Sequence, residues 1–183
     1  MLINGEYYKL KITFRNILQI FQLFEDNNPQ RIKKSLEILG LKNISNPEYV
    51  LDSISQYIFD TTKKTGNGKC KKDFDINYDY QYYFPDFLKY GINLNKDDID
   101  WWEFNKILDA IIIDKNSNMH QVLEYRNYEK PIKNEKTREN IRHQQMMKLK
   151  QKYALPIKNE DGISKLWNYL EKKAGDNKEK IKT

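Results

Sequence analysis

The chain has few of the residues that build catalytic or metal centres. Its 183 residues include one cysteine and two histidines. Cys70 alone cannot form an intramolecular disulfide, which is compatible with a reducing cytoplasm. His120 and His143 lie far apart in the sequence, and neither belongs to a pattern of closely spaced metal ligands. We therefore expect neither a metal site nor a bound cofactor.

Long hydrophobic runs are also lacking. No apolar stretch approaches the roughly 18 residues of a membrane-spanning helix, and no basic segment followed by an apolar one opens the chain. We therefore expect no membrane span, no signal peptide and a cytoplasmic location. Hydrophobic residues make up 39% of the chain and charged residues 32%, a balance typical of a folded, soluble protein.

No set of residues indicates catalysis. Residues 65–69 have two glycines and a lysine, but they lack the spacing of a phosphate-binding loop. Asp97, Asp98 and Asp100 could form a metal-binding triplet, yet carboxylates at a predicted helix start more often cap the helix. Acid–base catalysis by a pair of carboxylates needs one of them in a dry pocket, which nothing in the sequence predicts. We expect a protein that is not an enzyme.

Glycine, proline and asparagine mark the boundaries of the first elements. Asn4-Gly5 between short alternating runs predicts a β-hairpin over residues 2–12 with strands of three to five residues. Thr13 is expected to cap a helix, and Asn-Pro pairs at 28–29 and 46–47 predict the starts of two more. The apolar face expected for the first helix is Phe14, Ile17, Leu18, Phe21 and Phe24. The face expected for the second is Ile32, Leu36 and Leu39, and for the third Val50, Leu51, Ile54 and Ile58.

An aromatic block over residues 74–126 follows a polar loop at residues 61–72, and it holds two of the three Trp. It predicts a helix over about 76–90, interrupted at Pro85 and ended by Gly91. A second helix should begin behind Asp97 or Asp98, and a third behind Ser117-Asn118. The apolar residues expected to face inward in the last two are Trp101, Phe104, Leu108, Ile111, Met119, Val122 and Leu123.

The aromatic residues of this block are too many for all to be buried. We expect the core to include Phe87, Tyr90, Trp101, Phe104 and Leu108. Tyr80, Tyr83 and Trp102 are predicted to form an exposed apolar groove for a partner helix, since Tyr and Trp often anchor protein interfaces.

Charge is distributed unevenly. Residues 73–100 contain seven Asp and two Lys, whereas residues 131–158 contain eight Lys or Arg and two Glu. The two regions could attract each other within a molecule or between copies, or they could be solvated helix faces. A basic helix is predicted over 135–153, with a thin apolar stripe of Ile141, Met146, Leu149 and Tyr153. Its candidate contacts to nucleic acid or an acidic partner are Arg138, Arg142, Lys148 and Lys152.

The sequence therefore predicts a mainly α-helical protein with a short N-terminal β-hairpin and a basic C-terminal helical extension. Residues 1–130 would form the core domain and residues 131–183 the extension. A last helix is expected over about 161–174, with Ile163, Leu166, Trp167 and Leu170 on its apolar face.

Part of this pattern resembles a known family. The matching residues are Ile12, Thr13, Phe14, Arg15, Phe74, Asp75, Asp79, Phe87, Tyr90, Gly91, Ile92, Asn93, Leu94, Trp101, Trp102, Phe104, Leu108, Tyr125 and Arg126. They resemble the bacteriophage gene product fifteen family of Gram-positive phages and prophages, which is encoded beside the tape measure gene. Asp100 stands where the family usually has His, and Thr13 where it usually has Asp.

The resemblance implies a non-enzymatic tail assembly chaperone or a related tail morphogenesis factor. Its expected partner is the tape measure protein or another tail protein, and self-association is a further expectation. Two other functions stay open from the residues themselves. One is a nucleic-acid-binding regulator that uses the 135–153 helix. The other is a phage-encoded inhibitor of a host protein that uses the acidic aromatic surface between Asp73 and Asp100.

Overall fold

The computed structural model describes residues 1–3, 6–59, 73–129 and 137–156, together with residues 162, 165, 166, 168 and 169. Within these ranges the protein is mainly α-helical, as predicted. The described elements are β1 (Leu2–Ile3), β2 (Glu6–Tyr7), α1 (Phe14–Glu25), α2 (Arg31–Ile38), α3 (Pro47–Phe59), α4 (Tyr80–Lys89), α5 (Trp101–Ile113), α6 (Asn118–Arg126) and α7 (Thr137–Lys152). None of these helices is long and apolar enough to cross a membrane.

The chain divides into two compact units. Unit 1 consists of Met1–Gly68 and Lys158–Thr183, and unit 2 of Lys69–Ile157. The boundary expected at residue 130 falls inside unit 2, because α7 packs against α6. The expected loop at residues 61–72 lies outside the described residues.

In unit 1 the chain starts with a short pair of strands. β1 and β2 are antiparallel, with Leu2 opposite Tyr7 and Ile3 opposite Glu6. The Tyr8 amide donates to the Met1 carbonyl at 2.7 Å. Each strand has two residues instead of three to five, and Asn4-Gly5 lies outside the described residues. A pair this short depends on neighbouring structure to persist.

Helix α1 begins where the capping residue predicts. The Thr13 hydroxyl accepts a hydrogen bond from the Asn16 amide at 3.4 Å, so it satisfies one N–H of the first turn. Four of the five residues expected to face inward are buried, and the fifth, Leu18, is half-buried. Ile20, which was not expected in the core, is buried as well. The buried residues of α1 are Phe14, Ile17, Ile20, Phe21 and Phe24.

The two Asn-Pro pairs act differently. Asn46 caps α3, which begins at Pro47, and its side chain accepts from the Tyr49 amide at 3.4 Å. The Asn28 side chain accepts instead from the Gln30 amide at 2.9 Å, and α2 begins one residue later. Helix α2 packs against both α1 and α3, and the core residues that it and α3 contribute include Leu36, Val50, Leu51, Ile54 and Ile58.

The described residues beyond 158 belong to unit 1 and do not form a separate basic extension. Leu166 is buried, and the Lys165 ammonium donates to the Glu25 carbonyl at 2.6 Å. Gly162 lies so close to the Phe21 carbonyl that a Cβ at this position would overlap it. The described residues Gly162 and Lys165 therefore contact α1. Of the expected last helix, Ile163, Trp167 and Leu170 fall outside the described residues.

Unit 2 differs from the prediction mainly at its helix starts. Helix α4 begins at Tyr80, because the Asp75 carboxylate accepts from the amides of Asn77 and Tyr78 and holds residues 76–79 in a turn. It continues through Pro85 without a break. Helix α5 is capped by Asp100, whose side chain accepts from the Trp102 amide at 2.8 Å, and not by Asp97 or Asp98.

An aromatic core joins α4 and α5. Phe87 and Phe104 are stacked with ring centroids 5.2 Å apart, and Tyr83 meets Phe104 edge-on at 5.9 Å. Trp101 also stacks on Phe104, with ring centroids 5.6 Å apart. Tyr90, expected in this core, is 55% exposed because α4 ends there.

Helix α7 packs against α6 with one side only. His143, Met146, Leu149 and Tyr153 are half-buried, whereas Ile141, expected in the same stripe, is 54% exposed. The Lys150 ammonium donates to the Tyr128 carbonyl at 2.6 Å, and the Tyr128 hydroxyl lies 3.2 Å from His143 Nδ1. The helix is therefore an integral part of unit 2 and not an extension.

Candidate partner-binding surface

A surface groove on unit 2 brings together three tyrosines that are distant in sequence. It lies between α4, α6 and the residue that follows α7, and its volume is about 300 Å³. We call it the tyrosine groove, after Tyr82, Tyr125 and Tyr153. The lining residues are Gln81, Tyr82, Pro85, Asn118, Gln121, Val122, Tyr125 and Tyr153.

The three rings form one continuous aromatic wall. Tyr125 and Tyr153 are stacked with centroids 5.4 Å apart, and Tyr82 meets Tyr153 edge-on at 5.7 Å. All three are half-buried. Partial burial raises the pKa of the Tyr82 hydroxyl above its usual value, and Tyr78 adds to the shift. The hydroxyl is therefore protonated at neutral pH and can both donate and accept hydrogen bonds.

The rest of the lining is neutral. Gln81, Asn118 and Gln121 are exposed, and their side-chain amides can each donate and accept hydrogen bonds. Pro85 and Val122 add apolar surface. None of the described residues that line the groove is charged, so a ligand there would be held by apolar contact and neutral hydrogen bonds.

Pro85 also changes the backbone beside the groove. A helix normally places a hydrogen bond between the N–H of residue 85 and the carbonyl of Gln81, but proline has no N–H. The Gln81 carbonyl therefore lacks this bond, and both residues line the groove.

Arg126 fixes the wall that Tyr153 provides. Its guanidinium forms two hydrogen bonds to the Asp79 carboxylate, at 2.8 and 2.6 Å, and both side chains are buried. Its Nε donates to the Tyr153 carbonyl at 2.6 Å, and one terminal nitrogen donates to the Asp73 carbonyl at 2.7 Å. Such a paired, fully hydrogen-bonded charge holds the start of α4 and the end of α7 in one geometry.

Asp86 fixes the opposite side of the groove. The buried carboxylate accepts from the backbone amides of Asn118 at 3.1 Å and Met119 at 3.0 Å, and from the Asn118 side chain at 3.0 Å. Lys89 completes the arrangement at 2.8 Å. A carboxylate at the N-terminus of α6 also interacts favourably with the helix dipole. Asp86 thereby sets the spacing between α4 and α6, and so the width of the groove.

The predicted groove residues do not lie together in this site. Tyr83 is fully buried, and its hydroxyl donates to the Ile76 carbonyl at 2.8 Å, so it is a core residue. Tyr80 is half-buried, stacks on Phe84 and donates to Asn95. Trp102 is also half-buried, but neither it nor Tyr80 lines the tyrosine groove.

The candidate basic contacts lie on α7. Arg142, Lys148 and Lys152 are exposed, and the Lys152 ammonium lies 5.2 Å from the centre of the Tyr153 ring. The side chain of Arg138 is outside the described part of the chain. The His120 ring bonds the Ile112 carbonyl at 2.7 Å. Among the described residues, no three His, Cys, Asp or Glu side chains are grouped to hold a metal ion.

Burial of Tyr83 predicts a loss of stability in alkali. Burial strongly raises the pKa of its hydroxyl. Above about pH 10, tyrosine ionises in the unfolded chain while Tyr83 stays protonated in the folded one, so the free energy of unfolding falls as the pH rises. Tyr83→Phe should lose about 1 kcal/mol at pH 7, since a buried hydrogen bond is removed. Urea unfolding at pH 8 and pH 11 should show that the free energy of unfolding falls less between these pH values in Tyr83→Phe than in the native protein.

The control for this measurement is Tyr90→Phe, at an exposed tyrosine. It should leave both the stability at pH 7 and the alkaline loss unchanged. An alkaline loss of equal size in the Tyr83→Phe and native proteins would show that Tyr83 does not contribute to it.

Comparison with known proteins finds one family. A family model described as "Bacteriophage Gp15 protein" matches residues 1–155, which include both strands, all seven described helices and the whole lining of the tyrosine groove. No curated protein and no solved structure matches the chain.

Proposed function

Since the chain belongs to the bacteriophage Gp15 protein family, we propose that this phage morphogenesis protein is a tail assembly chaperone. It has no catalytic role and binds the tape measure protein while the tail is assembled. The single observation that carries the proposal is the tyrosine groove, an aromatic and neutral surface built on a rigid hydrogen-bonded frame.

The composition of the groove suits a transient protein contact. Tyrosine combines a large apolar ring with a hydroxyl and loses little conformational freedom on binding, which is why it is enriched where interfaces derive most of their energy. A volume of about 300 Å³ accepts one or two large apolar side chains of a client, not a whole helix face. The groove therefore binds one anchor of the client's apolar stripe at a time.

A small contact also explains how the client is released. Interfaces much smaller than about 1,200 Å² are typically weak and short-lived, because the area buried scarcely offsets the entropy lost on association. A long client with repeated apolar residues can bind several copies of the chaperone. Each copy can then dissociate separately as tail tube subunits assemble on the client.

The test is co-expression of this chain with the tape measure protein of the same phage, followed by affinity capture of the chain. The native chain should keep the client soluble and co-purify with it. The double variant Tyr82→Ala/Tyr125→Ala should retain at least about tenfold less client, because each tyrosine is expected to contribute 1 kcal/mol or more. Circular dichroism establishes that the variant is folded.

The matched control is Tyr57→Ala/Tyr90→Ala, which removes two exposed tyrosines outside the groove. It should retain the client as the native chain does. Equal retention by the Tyr82→Ala/Tyr125→Ala variant would exclude the groove as the client site. A client that is insoluble with the native chain would contradict the chaperone function itself.

A further inference from the structure

Unit 2 carries an acidic surface at the start of α5. Asp97, Asp98, Asp100 and Glu103 are all exposed within seven residues of sequence. Asp97 accepts a hydrogen bond from the Asn93 amide and Asp100 caps α5, so these two carboxylates hold local structure. Asp98 and Glu103 have no such role among the described contacts, and their carboxylates face solvent.

A basic surface lies on α7. Arg142, Lys148 and Lys152 are exposed, while Lys150 turns inward and donates to the Tyr128 carbonyl. Lys148 and Lys152 are one helical turn apart, so they lie on the same side of the helix. Most of the half-buried residues by which α7 contacts α6 lie on another side of the helix, and the Lys152 ammonium lies 5.2 Å from the centre of the Tyr153 ring.

The two surfaces do not neutralise each other within the molecule. None of the seven side chains forms an ion pair with another described residue. The acidic surface lies on α5, which packs against α4 and α6, whereas the basic surface lies on α7, which packs against α6. Each molecule therefore presents two exposed surfaces of opposite charge.

We propose that the acidic surface of one copy docks against the basic surface of a second copy. Opposite potentials across an interface steer association and fix its register. Such a contact gives each of the two charged surfaces a partner of opposite charge from another copy of the same chain. Because the two surfaces differ, the contact is head-to-tail, so it leaves one surface of each kind open at the ends and allows further copies to add.

Nucleic acid fits the basic surface less well. Three exposed cations on the described part of α7 are fewer than the roughly six to ten phosphate contacts of a strong duplex binder. A nucleic acid would in addition leave the acidic surface without a partner.

The experiment is sedimentation velocity over a range of protein concentrations, at about 0.05 M and 0.5 M salt. The native chain should associate at low salt and dissociate at high salt, since salt screens exposed charges. Two charge-reversed variants are compared with it. Lys148→Glu/Lys152→Glu changes the basic surface, and Asp98→Lys/Glu103→Lys changes the acidic one while sparing the carboxylates that hold local structure.

Each variant alone should associate at least about tenfold more weakly than the native chain, because like charges then face each other. An equimolar mixture of the two should regain association, since each altered surface then meets one of opposite sign. The control Lys33→Glu/Lys42→Glu has the same charge change on exposed residues of unit 1 and should associate like the native chain.

Three results would overturn the proposal. The first is a native chain that stays monomeric at both salt concentrations. The second is a mixture of the two variants that does not regain association. The third is native-like association of the Lys148→Glu/Lys152→Glu variant together with loss of binding to a duplex DNA probe, which would assign the basic surface to nucleic acid.

Discussion

Replacing Arg126 by Met should lower the free energy of unfolding by about 3–5 kcal/mol, because it leaves the Asp79 carboxylate buried without its partner. The guanidinium also donates to the carbonyls of Tyr153 and Asp73, and these bonds are lost as well. For a chain of this size the melting temperature should fall by about 10 °C. Urea unfolding followed by circular dichroism measures the change.

Two further variants separate the charge effect from a packing effect. Arg126→Met/Asp79→Asn removes the unpaired charge and should be more stable than Arg126→Met, although it has one more substitution. Arg142→Met removes an exposed arginine and should change stability by less than about 0.5 kcal/mol. If Arg126→Met were as stable as Arg142→Met, the buried pair would not hold unit 2 together.

Asp86→Ala should cost about 2–4 kcal/mol. The substitution leaves the backbone amides of Asn118 and Met119 and the Asn118 side chain without their common acceptor, and Met119 is fully buried. Each buried donor left unsatisfied costs about 1–3 kcal/mol, and the favourable charge at the start of α6 is also lost. Hydrogen exchange should show faster opening at the start of α6 than in the native chain.

The matched control is Asp97→Ala. Asp97 is exposed and accepts a single backbone hydrogen bond, from Asn93 at 2.6 Å. Its loss should cost less than about 1 kcal/mol, since water can replace the acceptor. Equal losses at the two sites would mean that Asp86 acts as an ordinary surface carboxylate.

Local signals in the sequence predict most of the helices and their inward residues. Thr13 and the pair Asn46-Pro47 mark helix starts that the structure reproduces, because capping depends on neighbours in the chain. Three-residue and four-residue spacing likewise identifies Phe104, Leu108 and Ile111 as buried. The predicted start of α4 was wrong because the Asp75 turn replaces its expected first residues, whereas the helix ends before Gly91 as predicted.

The candidate site could not be predicted in the same way. Tyr82, Tyr125 and Tyr153 come from three separate segments, and periodicity carries no information about which helices meet. Tyr83 was assigned to a groove because the block has too many aromatic residues for all to be buried, and only packing shows which ring faces Phe104. Tyr83 precedes Phe87 by four residues, a helical spacing that favoured burial and could have corrected that assignment.

The two residues that hold the groove in shape were also missed. Asp86 lies among aromatic and apolar residues on α4. A carboxylate in such a stretch is expected to be buried and to accept hydrogen bonds from buried donors. Asp79 and Arg126 both belong to the matched family pattern, but nothing local connects two residues so far apart in the chain. Their ion pair depends on the tertiary packing of α4 and α6, which only the structure shows.

The return of the C-terminal residues to α1 makes unit 2 an insertion within unit 1. During translation, all of unit 2 leaves the ribosome before Gly162 and Leu166 can reach Phe21 and its neighbours. Domains generally fold as units as they emerge, so unit 2 can assemble its tyrosine groove first. The core of unit 1 can be completed only after Gly162 and Leu166 have been synthesised, and a chain truncated before them would therefore show a formed groove beside an incomplete unit 1.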